Sequence, residues 1–217
     1  MIGGLSRLID FLLDKVLKWP FAILVIVFYY DIALVFLAAF EKFIAQESPI
    51  YLLGMLTCLM IIRHRSNFDA YWQTFEHELA HAIVGLLCLK KIDEFKVHKT
   101  FEEANADPNG FRGYVQFSTD VNWVIWLAPY FLPTLTLLLS LIYFLPIGEY
   151  RIILDFFIGF SIGFHLRTNW VEFGRNWNPA MPSGYTDITA VGKVFSLIVL
   201  PALNMIAFTI IFQTITG

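Results

Sequence analysis

The sequence His77-Glu78-Leu79-Ala80-His81 has the H-E-x-x-H spacing of a zinc-binding helix. Two residues four positions apart on an α-helix are separated by about 40° around the axis and roughly 6 Å along it, so His77 and His81 lie on one face. Two imidazoles at this spacing can bind one zinc ion. Glu78 leaves the helix about 100° away from His77, beside the metal. Its carboxylate can there accept a proton from an attacking water molecule and pass it to a leaving amine.

The segment around this motif is apolar on almost every side. The residues that surround the histidines include Leu79, Ala80, Ala82, Ile83, Val84, Leu86, Leu87 and Leu89. Ionisable side chains in such a helix are energetically costly and therefore indicate a function. The alternative is that the two histidines are only packed and hydrogen-bonded inside a helix bundle. We expect the motif to be a metal site.

The composition predicts an integral membrane protein. Of the 217 residues, 58% are hydrophobic and 15% are charged, whereas a soluble globular chain usually carries about 25% charged residues. The net charge of -3 is too small and too mixed to indicate a nucleic-acid partner. The two cysteines, Cys58 and Cys88, lie in apolar runs without the spacing of metal ligands, so we expect them to be core residues.

The hydrophobic pattern predicts an all-α polytopic membrane protein in a single domain, residues 1–217, with the lipid bilayer as its surroundings. About six membrane-embedded helices are expected, at 20–40, 50–62, 70–89, 122–145, 152–166 and 188–213. Residues 1–18 are expected to contain an amphipathic helix on the membrane surface, and residues 70–213 to form the catalytic core. Gly159 and Gly163 predict a helix face on which another backbone packs closely.

A short β hairpin or edge strand is expected between the membrane helices. Residues 90–121 form the longest polar region and contain the turn sequence Pro108-Asn109-Gly110. Residues 111–117 then alternate in the manner of a strand. Such a strand could pack over the loop or pair with an extended substrate.

The motif supplies two ligands, and a catalytic zinc ion usually takes three from the protein. The candidates for the third are Asp187, His165, Glu172 and Asp155. If every apolar segment crosses the membrane, His165 and Asp187 return to the side toward which His81 points. Asp187 is favoured because it begins a membrane helix after a Pro/Gly-rich stretch. His165 remains an alternative, and Glu172 would provide the helical glutamate that soluble zinc proteases use.

With these features the chain resembles the site-2 protease family, the intramembrane zinc metalloproteases. The matching residues are His77-Glu78-Leu79-Ala80-His81, Gly113-Tyr114-Val115, Ala128-Pro129, and Asn178-Pro179 upstream of Asp187. The resemblance covers roughly residues 70–210. It implies that His77, His81 and Asp187 bind Zn²⁺ and that Glu78 is the general base.

The chain departs from the family pattern at three places. Ile188 follows the aspartate where the family usually has glycine, and Ala128 precedes Pro129 where the family usually has glycine. The predicted helix 152–166 is additional to the expected core spans. The resemblance is therefore to a divergent, minimal branch of the family.

The sequence thus predicts a zinc metalloendopeptidase that hydrolyses peptide bonds of membrane-protein or peptide substrates. We expect a multi-pass protein of the cell (inner) membrane. Two alternatives remain: a non-enzymatic membrane scaffold with a vestigial metal site, and a different membrane metal-dependent hydrolase. A di-iron oxidase is disfavoured because the five histidines form no H-x-x-H-H cluster.

Overall fold

The computed structural model describes residues 2–63, 67–99, 111–177 and 186–217. This part of the chain is mostly helical and contains one two-stranded sheet. Its elements are α1 (Ile2–Phe11), a π-helical segment (Leu12–Leu17), α2 (Lys18–Arg63), α3 (Asn67–Leu87), β1 (Ile92–Lys99), β2 (Phe111–Phe117), α4 (Trp123–Phe131), α5 (Thr134–Leu141), two 3₁₀ turns (Ile142–Phe144 and Gly148–Tyr150), α6 (Arg151–Trp177), α7 (Asp187–Val191) and α8 (Lys193–Thr216). The predicted turn at 108–110 and the Asn178-Pro179 pair lie outside the described residues.

Two helices in the described ranges are long and apolar enough to cross a membrane, Gly3–Ala45 and Lys193–Thr216. A third candidate is Trp123–Phe131 with Thr134–Phe144, a pair bent by 73°. Helices of this length and apolarity are compatible with a membrane protein, but the six predicted spans are not supported. The apolar helix Pro49–Ile62 is short. The helices α3 and α6 contain polar and charged side chains that lower their hydropathy below that of a span.

The two halves of α2 pack along different helices. The first half packs on α8, where Trp19 contacts Phe195 and Phe36 contacts Phe212. The second half packs on α6, where Tyr51 lies against Gly159 and Met55 against Gly163. In both sets the residue numbers increase in the same direction along the two helices, so each half of α2 runs parallel to the helix on which it packs. A side-chain carbon at Gly159 would lie 2.1 Å from the Tyr51 carbonyl oxygen. The predicted close-packing face of Gly159 and Gly163 is therefore confirmed.

The helices α6 and α8 run antiparallel, because Arg151 binds the Ile215 carbonyl oxygen and His165 lies beside Phe208. The halves of α2 must consequently run in opposite directions, and the chain reverses before Tyr51. The predicted segments 20–40 and 50–62 are thus consecutive parts of one helical element that folds back on itself.

The amphipathic segment at residues 2–17 is helical, as predicted, but its acidic face contacts the protein. Asp10 forms an ion pair with Lys90 and accepts a hydrogen bond from Asn122 Nδ2 at 3.0 Å. Asp14 Oδ1 accepts a hydrogen bond from the backbone N–H of Trp123 at 3.0 Å. The segment therefore anchors the end of α3 and the start of α4.

The strand predicted at 111–117 is confirmed, and it pairs antiparallel with β1, with Val115 opposite Phe95. One face of β2 lies on α3. A side-chain carbon at Gly113 would be 2.7 Å from Thr74 Cγ2, and one at Gly85 would be 2.2 Å from the Phe117 ring. Glycine at both positions lets the strand approach the motif helix closely.

An adjoining face of α3 packs on α4. The buried residues at this contact are Ala80, Val84, Cys88, Ile125 and Ala128. Both cysteines, Cys58 and Cys88, are buried, as expected for core residues. The motif helix is thus held between the hairpin and α4, so its histidines have a defined orientation.

Candidate metal centre

The structure brings His77 and His81 of α3 together with Asp187, the first residue of α7. One ligand atom from each residue lies within 4.8 Å of the other two. The two Nε2 atoms are 3.2 Å apart, and Asp187 Oδ2 is 3.1 Å from His77 Nε2 and 3.6 Å from His81 Nε2. Ligands about 2.0–2.1 Å from a tetrahedral zinc ion would be about 3.3 Å from one another. These three atoms therefore have the spacing of a zinc site.

The other ring nitrogens also suit metal binding. His81 Nδ1 lies 2.7 Å from the Ile125 carbonyl oxygen, to which it donates a hydrogen bond. His77 Nδ1 is in contact with the Glu172 carboxylate, although the ring N–H is not aligned as a hydrogen bond to it. With the proton on Nδ1, the Nε2 lone pair of each ring is free to bind a metal. Two imidazoles and one carboxylate fit a catalytic zinc ion.

Asp187 is held in place from two directions. Thr186 caps α7 through Thr189 and donates a hydrogen bond to the Asn176 carbonyl oxygen at 2.9 Å. Tyr130 donates its hydroxyl hydrogen to Asp187 Oδ2 at 3.1 Å. The carboxylate atom that faces the histidines is thus oriented before any metal binds.

The charge state of Asp187 is also suitable. Burial raises the pKa of this carboxyl, but hydrogen bonds and charge interactions with His77 and His81 lower the pKa more. The net result is a pKa below the usual range of aspartate, so the side chain is ionised. Zinc binds the ionised form of a carboxylate.

Glu78 is buried and lies next to the metal ligands without joining them. It lines a cleft of about 630 Å³ together with His77, His81 and Asp187. Burial raises the pKa of Glu78 above the usual range of glutamate, and the electrostatic interactions of Glu78 with His77 and His81 offset only part of this rise. The remaining wall of the cleft consists of β2, the loop after it and the start of α4: Gly113, Tyr114, Val115, Gln116, Phe117, Thr119, Asp120, Val121, Ile125 and Trp126. An extended chain in this cleft would lie beside both the ligands and Glu78.

The other candidate ligands lie elsewhere. His165 is 1% exposed, and its Nε2 is 2.8 Å from Asn169 Nδ2. Asp155 accepts a hydrogen bond from the Tyr51 hydroxyl at 2.7 Å. Glu172 contacts the Nδ1 side of His77, away from the three grouped ligand atoms. Within the described part of the chain, the geometry therefore favours Asp187 over these alternatives.

Two contributors to the site were not predicted. Tyr130 had no motif of its own and was noticeable only as the neighbour of Ala128-Pro129. The Ile125 carbonyl oxygen is a backbone group, so residue type gives no indication of it. The sequence indicated Glu172 only as a possible metal ligand, whereas in the structure its carboxylate contacts Nδ1 of the proposed ligand His77.

Comparison with protein families, curated proteins and solved structures finds no match to this chain. The resemblance to site-2 proteases consequently rests on the motif residues.

Proposed function

We propose that this protein is a zinc endopeptidase of the site-2 protease type that cleaves membrane-protein or peptide substrates. The observation that carries the proposal is the grouping of His77, His81 and Asp187 beside a buried Glu78, all lining one cleft. The same arrangement follows from the H-E-x-x-H spacing, in which the glutamate is adjacent to the ligands without binding.

In this proposal His77 Nε2, His81 Nε2 and Asp187 Oδ2 would hold the zinc ion. The bound ion would supply Lewis acidity that polarises the scissile carbonyl and acidifies a water molecule. Glu78 accepts a proton from the water molecule as the water oxygen attacks the carbonyl carbon. Glu78 then passes that proton to the nitrogen of the breaking peptide bond, so that an acid and an amine are released.

The strand β2 would hold the substrate in an extended form. Peptide bonds inside a helix are shielded by their own hydrogen bonds, so a membrane helix has to unwind locally before hydrolysis. Gly113 to Phe117 line the cleft next to the metal ligands. Among the described residues β2 pairs only with β1, so its other edge has no strand partner there, and an extended segment can add to such an edge.

The membrane location is part of the proposal. Gly3–Ala45 and Lys193–Thr216 would anchor the protein, with the bent pair Trp123–Phe131 and Thr134–Phe144 as a further crossing. A multi-pass arrangement in the cell (inner) membrane would place the site near substrates that are themselves membrane proteins.

The test uses the purified full-length protein and its Glu78→Gln variant in detergent. We expect both to contain one zinc ion, because Glu78 is not a ligand. Only the wild type should cleave a peptide that contains a single membrane segment, because the amide cannot accept the proton of water. Near wild-type cleavage by Glu78→Gln would refute the general-base role.

The same preparations separate the alternatives. A wild-type protein that binds no zinc would contradict the proposal and favour a scaffold with a vestigial site. A wild-type protein that binds zinc, leaves peptides intact and hydrolyses lipid esters would favour a different metal-dependent hydrolase.

A further inference from the structure

Helix α6 reaches the motif helix α3 with two polar side chains. His165 and Glu172 are seven residues apart, which is about two helical turns, so they share one face of α6. His165 Nδ1 lies 3.9 Å from Glu76 Oε1, and Glu172 contacts the next residue of α3, His77. This helix, which the resemblance left without a role, therefore reaches the candidate metal centre.

Glu172 contacts the nitrogen of His77 that faces away from the other ligands. The side chains of the two residues are only 17% and 15% exposed. Within the described part of the chain, His77 Nδ1 has no aligned hydrogen-bond partner, whereas His81 Nδ1 has the Ile125 carbonyl oxygen. The Glu172 carboxylate is thus the acceptor placed next to the His77 Nδ1 proton.

We infer that Glu172 is a positioning residue for the metal centre, which holds His77 with its proton on Nδ1 and Nε2 directed at the zinc position. This inference rests on the proposed function. A carboxylate behind a ligating histidine fixes the tautomer and the ring orientation and makes the imidazole a stronger ligand. The two histidines would then be oriented differently, His77 by a side chain of α6 and His81 by the backbone of α4.

The geometry distinguishes this role from that of a ligand. A ligand oxygen has to lie near the Nε2 atoms, and Asp187 Oδ2 is the carboxylate oxygen that does so. Glu172 is on the Nδ1 side of the same ring. Removing it should therefore weaken zinc binding without removing a ligand.

The experiment compares full-length wild type with Glu172→Ala, Glu172→Gln and Glu149→Ala. Glu149 is an exposed carboxylate just before α6 and serves as the matched control. Zinc affinity is measured by competition with a chromophoric chelator, and the ligand set is monitored by the absorption spectrum of the cobalt-substituted proteins. Circular dichroism and gel filtration verify that each variant is folded.

We expect Glu172→Ala to bind zinc about 10–100-fold more weakly than the wild type. It should still reach one metal ion per chain at saturation, with a cobalt spectrum of unchanged coordination number. Glu172→Gln keeps an acceptor of the same shape and should restore part of the affinity. Glu149→Ala should bind like the wild type.

Three results would overturn the inference. Wild-type affinity in Glu172→Ala would show that the contact has no role in metal binding. A changed coordination number in cobalt-substituted Glu172→Ala would make Glu172 a ligand. Absence of zinc binding by the wild type would overturn both this inference and the proposed function, whereas the first two results would leave the proposed function standing.

Discussion

Gly113 of β2 lies directly against Glu78 of the motif helix. A side-chain carbon at Gly113 would be 2.5 Å from Glu78 Cγ and 3.0 Å from its Oε1. The absence of a side chain at this position therefore sets where the carboxylate lies. The same contact places the strand that lines the cleft next to the proposed general base.

Gly113→Ala should impair cleavage while preserving the metal site. The new methyl group would displace Glu78 or the strand, and a misplacement of about 1 Å can lower a reaction rate about 100-fold. Zinc content should stay at the wild-type value, because neither residue is a proposed ligand. Gly174→Ala is the matched control, since a side-chain carbon there meets no atom within 4 Å. Equal cleavage rates for Gly113→Ala and the wild type would contradict the proposed position of Glu78.

Asp187→Ala should lose most of the bound zinc, because the site would retain two of its three proposed ligands. His165→Ala should keep its zinc, since the described contacts of His165 are with Asn169, Glu76 and Phe208 rather than with the ligand atoms. The zinc content per mole of folded protein, measured for both variants, shows which of the two residues is the third ligand. Zinc retained in Asp187→Ala but lost in His165→Ala would instead indicate a site of three histidines.

Val115→Pro should abolish cleavage and leave zinc bound. Val115 pairs with Phe95 in the hairpin and lines the cleft. Proline has no backbone N–H, so it removes one hydrogen-bond donor from the strand. Val115→Ala, which keeps the N–H, is the control and should cleave substrate. Unchanged turnover in Val115→Pro would show that β2 does not hold the substrate.

Asp10→Ala should destabilise the fold through Lys90. The Lys90 side chain is 0% exposed, and its ammonium group binds Asp10, Thr119 Oγ1 at 3.0 Å and the Asp120 carbonyl oxygen at 2.6 Å. Removal of the carboxylate leaves a buried charge without its counter-ion, which costs about 3–5 kcal/mol. A lower melting temperature of the detergent-purified protein would confirm this.

The neighbouring ion pair provides the control for that measurement. Lys91 and Asp93 are also an ion pair, but the Lys91 side chain is 80% exposed. Solvent and salt screen such a pair, so Lys91→Ala should melt close to the wild-type temperature. Equal melting temperatures for all three proteins would show that the segment containing Asp10 is not an anchor.

Features that depend on short spacing along the chain could be predicted from the sequence alone. The placement of His77 and His81 on one helix face follows from helical periodicity over four residues, and that of Glu78 from the adjacent position. The alternation over residues 111–117 predicted β2, because the two-residue period of a strand is also a short spacing along the chain. The apolar composition predicted a membrane protein, because few soluble chains have so few charges.

Tertiary packing decided which distant residues meet. The order of the segments allowed either Asp187 or His165 as the third zinc ligand. The structure separates them, because α7 begins beside α3 whereas His165 packs inside the helix bundle. The contact of Glu172 with His77 depends on where α6 crosses α3. The reversal within α2 and the polar helices α3 and α6 also changed the count of spans. Hydropathy along the chain measures the apolarity of each segment, but it contains no information about which side chains two packed helices bring into contact.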